Sequence, residues 1–155
     1  GLAADEPATF ATNVAEIIVE PGNPLDIASV DDLADSELIV VLCAPEVPCG
    51  AYAERVVANA GTTVTPSSYE DNVKAVVTKV TRGEADAGIV YRSDVIAAGD
   101  AAQGVPIPDD INVVAEYPIA LVADAPNAAG AQAFVDFVLS PSGQDVLAAY
   151  GFGPA

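Results

Sequence analysis

Chemistry in this sequence is confined to a few places, and none of them carries a histidine. Residues 45–52 and 67–73 each read as a strand-to-helix junction. At such a junction the first backbone N–H groups of the helix have no intrahelical partner, and the helix dipole favours negative charge. Two junctions of this kind can bind an anion without a basic side chain; the plainer reading is two ordinary capped helices. A third place is Tyr91, at the end of the apolar run 87–91. Ile89, Val90 and Tyr91 favour a buried strand, and the carboxyl end of a parallel strand is where open α/β sheets meet ligands. On position alone, Tyr91 also fits a half-buried strand tyrosine whose hydroxyl meets water or a carbonyl. Beside it, Arg92 reads as the partner of a surface carboxylate or as a guide for an anion. Cys43 and Cys49 flank Pro45 and Pro48. They read as a disulfide closing a tight loop, with two buried free thiols as the alternative.

Other chemistries find little support. With no histidine there is no Ser-His pair, and no Gly-x-Ser-x-Gly, Walker, Gly-x-Gly-x-x-Gly or Cys-x-x-Cys pattern occurs. Two cysteines are too few for a structural zinc site. Asp31/Asp32 and Glu70/Asp71 suit helix starts, and Asp109/Asp110 suits a turn, so none requires a catalytic or calcium-binding role. The net charge of −18, from 23 acidic and 5 basic residues, argues against nucleic acid and against docking on an anionic bilayer. It leaves room for a small anion held by neutral donors, because exposed charges beyond about 8 Å are screened at physiological salt. No stretch approaches the roughly 20 apolar residues of a membrane helix, and no signal peptide is read at the start.

The elements that must position these residues follow from apolar spacing. At 155 residues and 52% hydrophobic, the chain can bury a core. Strands are expected at 13–20, 38–42, weakly around Val64, at 87–91, and at 119–122, the last paired with the first. Helices are expected from Ser29, over 51–60 with Gly61 as its stop, from Ser67 with Val73, Val76, Val77 and Val80 on one face, and from Ser93 to Ala98. Residues 99–110 read as a loop. Asn127 is expected to cap a helix to about Leu139 with Phe134, Phe137 and Val138 in the core, and Pro141 to open a last helix. The alternation predicts a mainly parallel sheet covered by helices on both faces.

Six stretches, in order, carry a resemblance. They are Glu20-Pro21-Gly22-Asn23-Pro24, Ala44-Pro45-Glu46-Val47-Pro48-Cys49-Gly50-Ala51-Tyr52-Ala53, Glu70-Asp71-Asn72-Val73, residues 83–94, Glu116-Tyr117-Pro118-Ile119-Ala120, and Tyr150-Gly151-Phe152. Together they resemble the ModA family, molybdate-binding proteins of bacterial ABC transporters. The resemblance implies an α/β, type II periplasmic-binding-protein fold: one three-layer α/β/α lobe with remnants of another. It implies that 1–13 is an entry segment from a first lobe missing here. Residues 14–122 would be the second ligand-binding lobe between hinge crossings, and 123–155 C-terminal helices returning toward the first. The ligand would be molybdate or tungstate, with no cofactor and no catalysis. It would be held by the Cys49 and Val73 N–H groups and the Tyr91 hydroxyl. Cys49 stands where the family usually has a small residue such as Ala, a change that a backbone contact survives. The two serine-bearing loops of the first lobe would supply the other donors. The partner would be a membrane permease, and the location extracytoplasmic, in the periplasm or tethered to the outer face of the cytoplasmic membrane. Self-association through an uncovered apolar face is a further expectation. The alternatives are a binding protein for another oxyanion or small carboxylate, and an effector domain of a transcription regulator.

Overall fold

A computed structural model describes residues 3, 4 and 6–154. The chain divides into two units. One is Val14–Val113; the other is built from the residues before Val14 and those after Val113. Among the described residues, no helix is long and apolar enough to cross a membrane.

The Val14–Val113 unit holds the later part of β1 (Ala8–Val19), then β2 (Val40–Cys43), α1 (Pro48–Ala60), β3 (Ser68–Glu70), α2 (Val73–Thr81), β4 (Ala87–Tyr91), α3 (Arg92–Ala98) and β5 (Gln103–Pro106). The strands lie in the order β3-β2-β4-β1-β5. β2 is parallel to both β3 and β4, whereas β1 is antiparallel to β4 and β5. The sheet is therefore mixed, not mainly parallel.

Side chains alternate across the sheet with the period of two that a strand imposes. Ile17, Val19, Val40, Leu42, Ala87 and Ile89 point to one face, where Ala53 and Val56 of α1 cover them. Ile18, Val41, Cys43 and Val90 point to the other, beneath Val76 and Val80 of α2. The valine spacing in α2 thus does what its period predicts: Val76 and Val80 are buried, with Val73 and Val77 packed at the margin. Gly88 lets α2 come close. A Cβ there would lie 2.5 Å from Val76 Cγ1 and 2.7 Å from the Val41 carbonyl oxygen.

Several expected elements differ. No helix starts at Ser67. Residues 68–70 pair in parallel with β2, Val41 opposite Ser68 and Cys43 opposite Glu70, and α2 begins only at Val73. The weak strand expected around Val64 is not formed; that edge position belongs to β3. β5 lies within the expected loop, its sequence disguised by Gly104 and Pro106. After Ser29 there is only a 3-10 turn, Asp31–Ala34. Asp32 organises it, its carboxylate accepting from the Ala28 and Ser29 N–H groups and the Ser29 hydroxyl.

One ion pair braces β3 against α2. Lys79 Nζ donates to Glu70 Oε1 at 2.6 Å, and Ser68 Oγ donates to the same oxygen at 2.6 Å. The Lys79 and Ser68 hydrogen bonds hold the Glu70 carboxyl below its ordinary range. A lowered folded pKa means that this stabilisation is present above the unfolded pKa and is lost as pH falls through the folded one. Glu70→Gln is expected to cost about 1.5 kcal/mol near pH 7 and to match the parent below the folded pKa, in urea unfolding measured across pH.

In the other unit, β6 (Val114–Ile119) pairs with β1, and α4 (Ala128–Leu139) and α5 (Pro141–Ala149) follow. β6 ends at Ile119, where the expected strand 119–122 was to begin, because Glu116 and Pro118 break the apolar run without breaking the strand. Asn127 caps α4 through the Gly130 N–H at 3.0 Å, and Pro141 opens α5, both as expected. Tyr117 is edge-on to Phe10 and Phe152. Phe134 and Phe137 are not core residues: they are 62% and 55% exposed. Val138, the third residue expected in the core, is half-buried.

Candidate functional site

The three candidate positions all lie at the carboxyl edge of the parallel strands. Because β2, β3 and β4 run the same way and α1, α2 and α3 follow them in turn, all three helices start at that edge. The edge is pinned where Ala44, just past β2, donates its N–H to the Glu70 carbonyl at 2.8 Å. The residues also share a face. Cys49 is buried in the cluster beneath α2, and Val73 and Tyr91 pack against that same cluster.

At the first junction Val47 is the extended residue before α1, with φ −105° and ψ 155°, and no side chain caps the helix. Pro48 occupies the first turn and has no N–H to offer. The Gly50 and Ala51 N–H groups turn back to the Val47 carbonyl, at 3.0 and 3.1 Å. The Cys49 N–H is therefore the first donor of α1 still open, with no acceptor among the described residues. Cys43 and Cys49 form a disulfide, with Cα atoms 5.7 Å apart, so the free-thiol alternative falls. Gly50 is required by close approach: a Cβ there would strike the Ala44 carbonyl oxygen and lie 2.7 Å from that of Cys43.

At the second junction Asn72, not Ser67, is the cap. Its Oδ1 accepts from the Ala75 N–H at 3.1 Å, leaving the Val73 N–H with no acceptor among the described residues. The signal was present as Asn72 three residues before Ala75, but Ser67-Ser68 offered a competing cap. Asn72→Ala is expected to cost about 1 kcal/mol, seen as a lower urea midpoint with unchanged slope.

Tyr91 ends β4 half-buried. Its ring stands edge-on to Tyr52 of α1, centroids 6.1 Å apart at 73°, and the Arg55 guanidinium lies 5.9 Å from the Tyr52 ring centre. This contact, which sequence reading missed, joins the first junction to the end of β4. The Tyr91 N–H donates to Asp94 Oδ2 at 3.2 Å and so fixes the turn into α3. Burial pushes the Asp94 carboxyl up, while this hydrogen bond and the Lys74 charge pull it back. Burial also raises Glu16, against the opposing charge of Arg92. Arg92 acts on this carboxylate of β1 through its charge, without a salt bridge to it, and this does not decide between its two readings. Among the described residues, no three His, Cys, Asp or Glu side chains are grouped to hold a metal ion.

A mixed sheet with helices on both faces, and donors at adjoining strand ends, defines one lobe of a type II periplasmic-binding-protein fold. The profile of the bacterial extracellular solute-binding proteins matches residues 1–153, and the chain belongs to that family. It is 39% identical over 152 residues to the molybdate-binding protein ModA of Mycobacterium tuberculosis, covering 98% of this chain and 58% of that one. It is 33% identical over 109 residues to the molybdate-binding protein ModA of Escherichia coli, covering 68% and 42%. Among solved structures, the substrate-binding domain of a putative molybdenum ABC transporter from Clostridium difficile superposes with a TM-score of 0.79 at 24% identity, covering 99% and 69%. The chain thus spans about 58% of the length of the first of these relatives.

Proposed function

We propose that this chain is the greater part of an extracytoplasmic binding protein for molybdate or tungstate that delivers the oxyanion to an ABC-transporter permease. The observation that carries the reading is the pair of unsatisfied backbone donors, Cys49 N–H and Val73 N–H, on one cluster with Tyr91. Each donates to an oxygen of the tetrahedral dianion, and the Tyr91 hydroxyl donates to another. Hydrogen bonds to a charged partner are worth about 1.5–3 kcal/mol each. Neutral, fixed donors explain how a chain of net charge −18 holds a dianion. Other donors come from a further lobe of the full-length protein, and residues 14–122 serve as the lobe that carries these three. The task is capture and release, with no bond broken. A disulfide in the binding loop supports an oxidising, extracytoplasmic setting and counts against a cytosolic regulator.

Calorimetric titration of molybdate, tungstate and sulfate into the full-length protein tests the reading. Tight binding of the two larger oxyanions with sulfate much weaker is the expected result. Absence of oxyanion binding would overturn it in favour of another solute. The 155-residue chain by itself is expected to bind weakly or not at all. Exposed Phe134, Phe137, Val146 and Tyr150 also support its association with itself. Light scattering should show mass rising with concentration, and a strict monomer would contradict this.

A further inference from the structure

We infer that the Cys43–Cys49 disulfide is a positioning device for the anion site, fixing the Cys49 N–H in place of the side-chain cap that α1 lacks. The inference rests on the proposed function and adds a role for Cys43, a residue that touches no ligand in that reading.

Three observations carry it. First, the two ends of the bridge differ in what holds them. Cys43 is the last residue of β2, buried in the sheet and in register with Glu70 of β3. Cys49 lies in the first turn of α1, where backbone geometry is least constrained by helical hydrogen bonds. Second, no side chain caps that turn, and its backbone bonds run through Val47, whose N–H donates to the Ala44 carbonyl at 3.1 Å, not through Cys49. Val47 cannot cap with its side chain, Pro48 has no N–H, and the Gly50 and Ala51 N–H groups share the Val47 carbonyl. α2 and α4 instead have Asn72 and Asn127 as side-chain caps. Third, the covalent link ends on the residue whose own N–H is the open donor. Tying its side chain to the sheet restricts the direction of that N–H before any ligand arrives.

A donor held beforehand need not be ordered on binding, and ordering about one backbone residue corresponds to roughly a tenfold change in affinity. The loss should appear as faster release, because the loosened donor weakens the bound state.

The test measures molybdate affinity and release rate in the full-length protein, oxidised and after treatment with a dithiol. Reduction transfers two electrons and two protons to the bridge, and the dithiol ends as its own disulfide. Cys43→Ala gives the unbridged state without reductant. Leu33→Ala, a buried residue in the 3-10 turn away from the site, controls for lost stability alone. The expected result is about tenfold weaker binding and faster release in reduced protein and in Cys43→Ala, no further effect of dithiol on Cys43→Ala, and unchanged affinity in Leu33→Ala. Should Cys43→Ala not fold, the reduced parent carries the comparison. Oxidised protein that binds molybdate, with reduced protein binding equally well, overturns the inference and leaves the proposed function standing. Oxidised protein that does not bind overturns both.

Discussion

Tyr91→Phe in the full-length protein is expected to weaken molybdate binding by about 10- to 150-fold, the worth of one hydrogen bond to a charged oxygen. The substitution removes one oxygen and keeps the ring. Its edge-on contact with Tyr52 and its packing against the apolar cluster persist, and so does the main-chain bond to Asp94. Any loss of stability is read separately from the loss of affinity. Calorimetry and urea unfolding on the same preparation separate the two effects. Unchanged affinity would remove Tyr91 from the site. Equal losses in stability and affinity would make it a packing residue only.

Gly50→Ala is expected to be the most damaging small change in the Val14–Val113 unit. The added methyl would meet main-chain carbonyls of Ala44 and Cys43, which cannot swing aside as a side chain could. Both belong to the end of β2 and the loop after it, and the loop is held by the Glu70 carbonyl and by the disulfide. The start of α1 must then move away from the sheet, at a cost of about 3 kcal/mol. The Cys49 N–H moves with it, so affinity for molybdate should fall together with the urea midpoint. A Gly50→Ala protein with parental stability would show that α1 is not seated as closely as described.

Much of this unit could be read from the amino acids, and the failures share a cause. α2 was legible because Val73, Val76, Val77 and Val80 repeat with the helical period, and one face is buried. β2 and β4 were legible as continuous apolar runs covered on both sides. β3 and β5 were not, being short strands at the two ends of the strand order. Such strands need no buried alternation, and long-range pairing, not local pattern, makes them strands. Ser67-Ser68 looked like a helix start because serine caps and parallel edge strands draw on similar residues. Phe134 and Phe137 show the opposite limit. Composition says that aromatic residues seek a core, but it cannot say which surface covers them.

The site was legible in outline. Tyr91 at a strand end, and two helix starts near it, followed from pattern alone; that Lys74 stands in the first turn of α2, and which N–H groups stay open, did not. That depends on Pro48 lacking a hydrogen, on Asn72 spending its side chain on Ala75, and on Gly50 and Ala51 turning back to Val47. The Tyr52–Tyr91 contact depends on the angle between α1 and β4, which no local sequence signal carries.

A crystal structure of the full-length protein grown with molybdate, with anomalous data at the molybdenum edge, tests the central claim most directly. The account predicts one molybdenum peak at the carboxyl edge of β2, β3 and β4. Its oxygens should lie within hydrogen-bonding distance of the Cys49 N–H, the Val73 N–H and the Tyr91 hydroxyl. A molybdenum peak bound elsewhere, with those three groups facing solvent or one another, would contradict it.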